Sequence, residues 1–252
     1  MKYGLGWIVL MGGIFLSGWV GSPEARAAET RQVERVGYAY TLNDGDQLYR
    51  EIHRARWEGG QPVTEEVTYR GVDGEVMAVK TIDYRRSQQA PSFRMEMKTV
   101  RYREGLQPTE EGLRAFVLPV GERRERGDIV PGGKDLVVDA GFDRLIERRL
   151  ADLKAGKRLT FRFLVPSRLE AYAFRAQMVE RTRVLGQPAL HVRMEPANVF
   201  LRWLADPVDV FYHWEGGRLL RYEGPSNLRR PDGDNPLVRV DFPRTERAET
   251  GW

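Results

Sequence analysis

The chain has 252 residues, a formal net charge of +4 and no cysteine. Without cysteine there is no disulfide, no thiol nucleophile and no thiol to carry a lipid anchor, so stability has to come from packing. The 40 Lys and Arg side chains are interleaved with 36 Asp and Glu, which argues against a nucleic-acid surface, where one sign dominates a face.

The first residues read as a secretory leader. Lys2 gives the basic start, Trp7–Val20 is apolar but short and broken by glycine, and Ala25-Arg26-Ala27 matches a cleavage pattern. The expectation is a signal peptide over 1–27, cleavage before Ala28, a periplasmic location and no permanent membrane span. Residues 28–252 then form a single half-barrel-like β domain. An uncleaved anchor is the alternative.

Alternating apolar positions predict strands from the start of that domain. Val36, Tyr38, Tyr40 and Leu42 mark the first. Leu48–Trp57 is the second, with Tyr49, His53, Ala55 and Trp57 on one face. Val63–Tyr69 and Val76–Tyr84 flank Asp73-Gly74, a hairpin signal. Phe93, Met95 and Met97 alternate in the fifth, and Arg114–Val120 and a segment ending near Val130 add one or two more. The run Glu122–Arg126 has mixed charge and reads as a solvated hairpin; contact with anionic head groups is its other reading.

Pro131-Gly132-Gly133 then separates this meander from the best amphipathic stretch. Phe142, Leu145, Ile146, Leu150 and Leu153 repeat on a helical period, with Asp139 or Gly141 as N-cap, Asp143 in the first turn and Gly156 as terminator. This stripe is either ordinary core or the underside of a lid over a cavity. The strand Leu159–Val165 follows with apolar residues on both faces, and Pro166 ends it. Hairpins resume at Tyr172–Met178, Leu190–Met194, Val208–Trp214, Leu219–Glu223 and Val238–Phe242, with a short helix predicted within Pro196–Ala205. The fold class is therefore mainly β (α+β). It is a single curved antiparallel sheet, or open half-barrel, of about ten strands, with one main and one short helix on the concave face.

Motifs of catalysis are missing. No nucleophile elbow, HExxH, phosphate loop or dinucleotide fingerprint occurs after the leader. His53, His191 and His213 sit on separate strands without a ligand at i+2 or i+4, so no metal and no cofactor are expected. Asp232, Asp234 and Asn235 read as a turn rather than a calcium loop. The carboxylate pairs Asp139 with Asp143 and Asp206 with Asp209 are suited to acid–base work but have capping and turn explanations. Ser226 has no evident base.

The stretches Leu48–His53, Val138–Asp143, Phe163–Leu169 and Leu220–Gly224 resemble a family of uncharacterised exported bacterial proteins. That family implies no activity and hands no residue a role. In architecture and compartment, though not in motif, the chain is also similar to the periplasmic lipoprotein-carrier superfamily. That likeness implies an open half-barrel whose concave face holds helices and acyl chains.

The leading functional expectation is non-catalytic binding or carriage of a lipid or other apolar ligand in the sheet concavity. Its expected lining is Phe142, Ile146, Leu150, Phe161, Phe163, Tyr172, Phe174 and Trp203, with Arg148 or Arg168 meeting an anionic head group. Two other readings stay open: an envelope scaffold or accessory protein with a filled core and a protein partner, and a carboxylate-based hydrolase.

Overall fold

The computed structural model describes residues 29–43, 45–198, 207–244 and 247–249. Where the sequence alternates, strands form: β1 (Thr30–Thr41), β2 (Gln47–Glu58), β3 (Gln61–Gly71), β4 (Val76–Asp83), β5 (Ser92–Met97), β6 (Tyr102–Thr109), β7 (Gly112–Leu118) and β8 (Arg126–Val130). A short β9 (Leu136–Val137), α1 (Gly141–Arg148) and α2 (Leu150–Lys154) follow. After them come β10 (Leu159–Val165), a single 3-10 turn at Pro166–Arg168, β11 (Glu170–Val184), β12 (Gln187–Pro196), β13 (Val208–His213), β14 (Leu219–Pro225), β15 (Leu237–Asp241) and β16 (Arg247–Glu249).

All sixteen strands belong to one sheet, in the order β8-β7-β6-β5-β4-β3-β2-β1-β15-β14-β13-β12-β11-β10-β9, with β16 pairing beside β1. The joint between the halves is β1 against β15, in register from Tyr38 opposite Asp241 to Thr41 opposite Val238. The sheet's two ends, β8 and β9, are neighbours in sequence. Turn chemistry fixes the hairpins: Glu58 pairs with Gln61 across Gly59 and Gly60, whose φ of 57° and 80° make the tight turn that suits twisted strands. Register shifts in β1/β2, β2/β3, β3/β4, β11/β12 and β13/β14 add local bend and twist. The sheet curls until the 3-10 turn after β10 packs on β6 and β7 across the interior.

The fold is thus mainly β, an open curved sheet with few helices, as the alternation predicts; several details differ. Among the described residues sixteen strands replace about ten. β6 escapes a pattern reading because Glu104 and Pro108 interrupt the apolar face of Tyr102 and Leu106, and the other face, Arg103, Gly105 and Gln107, carries no apolar side chain. One pair, β9 with β10, is parallel and is joined through α1 and α2; a two-residue strand carries no periodicity to read. The predicted single helix breaks at Arg149 (φ −109°, ψ 15°), whose N–H is shared between the carbonyls of Leu145 and Ile146. The short helix predicted within Pro196–Ala205 lies mostly outside the described residues, while Pro196 itself ends β12.

The stripe packs inward. Phe142, Leu145, Ile146 and Leu153 are buried and Leu150 is half-buried, while Arg144 pairs with Glu147 at 2.6 Å on the other side. The N-cap is Ala140, not Asp139 or Gly141. Gly141 instead lets the helix start press on the loop before β5: a Cβ there would lie 2.0 Å from the Gln89 carbonyl oxygen. Val138 N–H donates to that same oxygen, so the strap leading into α1 is tied to the loop. Among the described residues no helix is long and apolar enough to cross a membrane.

Candidate functional site

Curling places one face of β1–β4, β6 and β10–β15 around a shared interior, and the start of α1 borders that space. There the sheet lines a partly open cavity of about 400 Å³. Its two sides differ in chemistry. Phe163, Phe174, Met194, Val208, Val210, Val238 and Val240, from β10–β13 and β15, make an apolar wall, to which α1 adds Phe142. The opposite wall, from β1–β4 and β6, carries Arg35, Glu51, His53, Glu65, Tyr69, Lys80 and Glu104.

Most of this polar wall is tied into bonded groups, as buried ionisable side chains require. His53 Nδ1 lies 2.8 Å from Glu65 and Nε2 lies 3.2 Å from Glu51. The Tyr84 hydroxyl donates to the second oxygen of Glu65 at 2.9 Å, and Arg35 stands 3.9 Å from the first. Burial pushes the His53 pKa down and Arg35 adds to that, yet its bonds to Glu51 and Glu65 outweigh both and raise it above 6.5. Burial pushes Glu65 up, but the His53 bond and the two cations hold it down at about 2. His53 therefore bridges two glutamates whose bonds favour its protonated form.

A second group centres on Lys80, whose ammonium donates to Asp139 at 2.7 Å. Burial opposes the charge on Lys80, and the adjacent Asp139 more than restores it, raising the lysine above its ordinary value. Tyr69, fully buried next to Lys80, receives a bond from Asn227 at 3.2 Å, and burial lifts its phenol. Asp139 adopts φ 46°, the left-handed region that Asp tolerates better than most residues.

Of the residues expected to line the cavity, Phe142, Phe163 and Phe174 do so. Ile146 and Phe161 are buried in the surrounding core, and Leu150 and Tyr172 are half-buried outside the lining. Trp203 lies outside the described residues. Arg148 is exposed and bonded to Gln89 at 2.7 Å, and Arg168 is exposed; neither reaches the cavity, whose arginines are Arg35 and Arg229.

The polar wall is what sequence reading missed. Its signal was a charge set inside an apolar face: Glu51 between Tyr49 and His53, and Lys80 between Ala78 and Ile82. On a period-2 strand such a charge faces inward with its neighbours.

The candidate catalytic groups are otherwise engaged. Asp143 accepts from the Tyr212 hydroxyl at 2.7 Å, while Asp139 serves Lys80. Asp209 is held by His191 at 2.7 Å and by Arg193 at 2.9 Å, and Asp206 lies outside the described residues. The Ser226 hydroxyl sits 2.7 Å from the Tyr49 phenol, and burial raises that phenol well above 10, which makes it a poor base. Asp232 accepts from the Asp234 N–H at 3.0 Å, the geometry of a turn.

No protein-family model and no curated protein matches the chain. Among the solved structures similar to it, one has a TM-score of 0.43 and 9% identity, covering 89% of this chain and 99% of its own. It is described as a β-barrel-like protein of domain of unknown function DUF1849 from Brucella abortus. Similarity at that level transfers neither a role nor a residue.

Proposed function

We propose that this chain is a non-catalytic binding or carrier protein that holds a lipid or other apolar ligand inside its curled sheet. The observation that carries the reading is the cavity itself, about 400 Å³, with one apolar wall built from five strands and one polar wall built from another five. That volume lies toward the lower end of the ~300–1,000 Å³ typical of small-molecule sites. Burial of apolar ligand surface against Phe163, Phe174 and the valines supplies affinity at roughly 25 cal/mol per Å². The bonds that engage Asp139, Asp143, Asp209 and Ser226 support binding over hydrolysis.

Export to the periplasm, with cleavage before Ala28, is part of the proposal and rests on the leader pattern of residues 1–27. N-terminal sequencing of the exported protein tests it; a chain beginning at Met1 in the membrane fraction would refute it.

The binding claim is tested by titration with phenylnaphthylamine, an uncharged apolar fluorophore. The parent protein should saturate with a single probe per chain. Val208→Trp, which fills the apolar wall, should weaken binding at least about tenfold, roughly 1.4 kcal/mol, while keeping a cooperative melt. No binding by the parent would leave the scaffold reading, with its filled core and protein partner.

A further inference from the structure

The next step rests on the ligand site proposed above and concerns the head group it selects. At one end of the cavity Lys80, Asp139, Glu104 and Arg229 come together, and Glu104 lies within the electrostatic reach of the other three. Lys80 holds one oxygen of Asp139, and the Tyr102 hydroxyl donates to Glu104. Arg229 donates from Nη1 to the Gly233 carbonyl at 2.9 Å, and its guanidinium stands 4.5 Å from the centre of the Tyr102 ring.

Two atoms of this group are buried without a protein partner: Oδ2 of Asp139, an acceptor, and Nε of Arg229, a donor. The other three such atoms among the described residues, on Trp57, His191 and Arg239, lie outside this lining. Leaving a buried charged group short of a bond is costly. Asp139 also carries its left-handed backbone here, and strain of that kind concentrates at ligand sites.

A molecule that satisfies both atoms must offer a donor to Asp139 and an acceptor to Arg229. Its charge is constrained as well. Lys80 is already paired with Asp139, and burial raises the Glu104 pKa against the pull of Arg229 and Lys80, so a ligand anion would be buried beside carboxylates and a ligand cation beside Lys80 and Arg229, a costly arrangement either way. We infer that the cavity selects an amphiphile with an uncharged head group that both donates and accepts, a hydroxyl or primary amide, on a single apolar tail. The tail faces the wall of Phe163, Phe174 and the valines.

Competition against bound phenylnaphthylamine tests this with four probes of identical chain: decanol, decanamide, decanoate and decylammonium. In the parent protein the alcohol and amide should displace the fluorophore at concentrations about tenfold below either ion, a difference of roughly 1.4 kcal/mol. Asp139→Asn removes a negative charge, so decanoate should gain relative to the alcohol. Arg229→Leu removes a positive one, so decylammonium should gain. Merely structural roles would weaken all four probes together. Equal displacement by all four, or by decane as well, would overturn the head-group inference while leaving the cavity reading intact. A parent that binds neither fluorophore nor probe would overturn both. Should either variant fail to fold, the ranking of the four probes on the parent decides alone.

Discussion

At the scale of single residues, the interior charges dictate how stability follows pH. His53 is raised above 6.5 in the fold, so its bonds to Glu51 and Glu65 contribute fully below 6.5 and are lost as pH rises through the folded value. Glu65 is depressed from 4.5 to about 2, so its contribution is present above 4.5 and lost as pH falls toward 2. We expect the melting temperature to be highest between pH 4.5 and 6.5 as far as this group governs it. His53→Gln should flatten the alkaline limb and Glu65→Gln the acid limb; circular-dichroism melts across pH check both. Lys80 and Asp139 behave differently, because they are a paired ion couple in a nearly dry place. Lys80→Met should cost about 3–5 kcal/mol by leaving Asp139 buried alone, and Lys80→Met with Asp139→Leu should recover a large part of it. Denaturant midpoints of the two variants decide this, and equal losses in both would mean the pair itself supplies the stability. None of these partnerships was legible in the sequence. Lys80 and Asp139 stand 59 positions apart, and only the curl of the sheet brings them together.

Among the elements, α1 and α2 carry the clearest contrast. The apolar stripe was legible because helical period and burial coincide: Ile146 and Leu153 are fully buried, Phe142 and Leu145 nearly so. The break at Arg149 was not, since a shared N–H at a helix junction leaves no trace in hydropathy. Half-buried Leu150 sits just past that break and packs at the margin of the core, near Gly217. Ile146→Ala should therefore cost about 2–5 kcal/mol, and Leu150→Ala distinctly less. Neither should alter phenylnaphthylamine affinity as strongly as a change at Phe142, since of the three only Phe142 lines the cavity. Urea unfolding and probe titration on the three alanine variants separate these outcomes. A Leu150→Ala loss equal to that of Ile146→Ala would contradict the assigned packing.

For the whole molecule, the continuity of the sheet depends on β1 meeting β15, the joint between a half with a largely polar inner wall and a half with an apolar one. Most strands and their hairpin order were legible from alternation and turn residues, β6 and β9 excepted; that β1 pairs with β15 was not, because period-2 patterns say nothing of distant partners. The joint should be unforgiving. Val240→Pro, in the middle of β15, should cost more than about 3 kcal/mol. Ile129→Pro, on edge strand β8 where the N–H already takes the Asp128 carboxylate, should cost far less. Similar melting temperatures for the two proline variants would mean that β15 is not the joint. The cavity that the curled sheet lines is the centre of the functional account, and native mass spectrometry of the protein recovered from the cells that make it examines it most directly. We expect a fraction of the molecules to carry a single small amphiphile, released by organic extraction and identifiable as a one-chain compound with an uncharged polar end. A clean apo mass, combined with no uptake of phenylnaphthylamine by the same preparation, would contradict the account and leave a protein whose interior serves only to hold its sheet together.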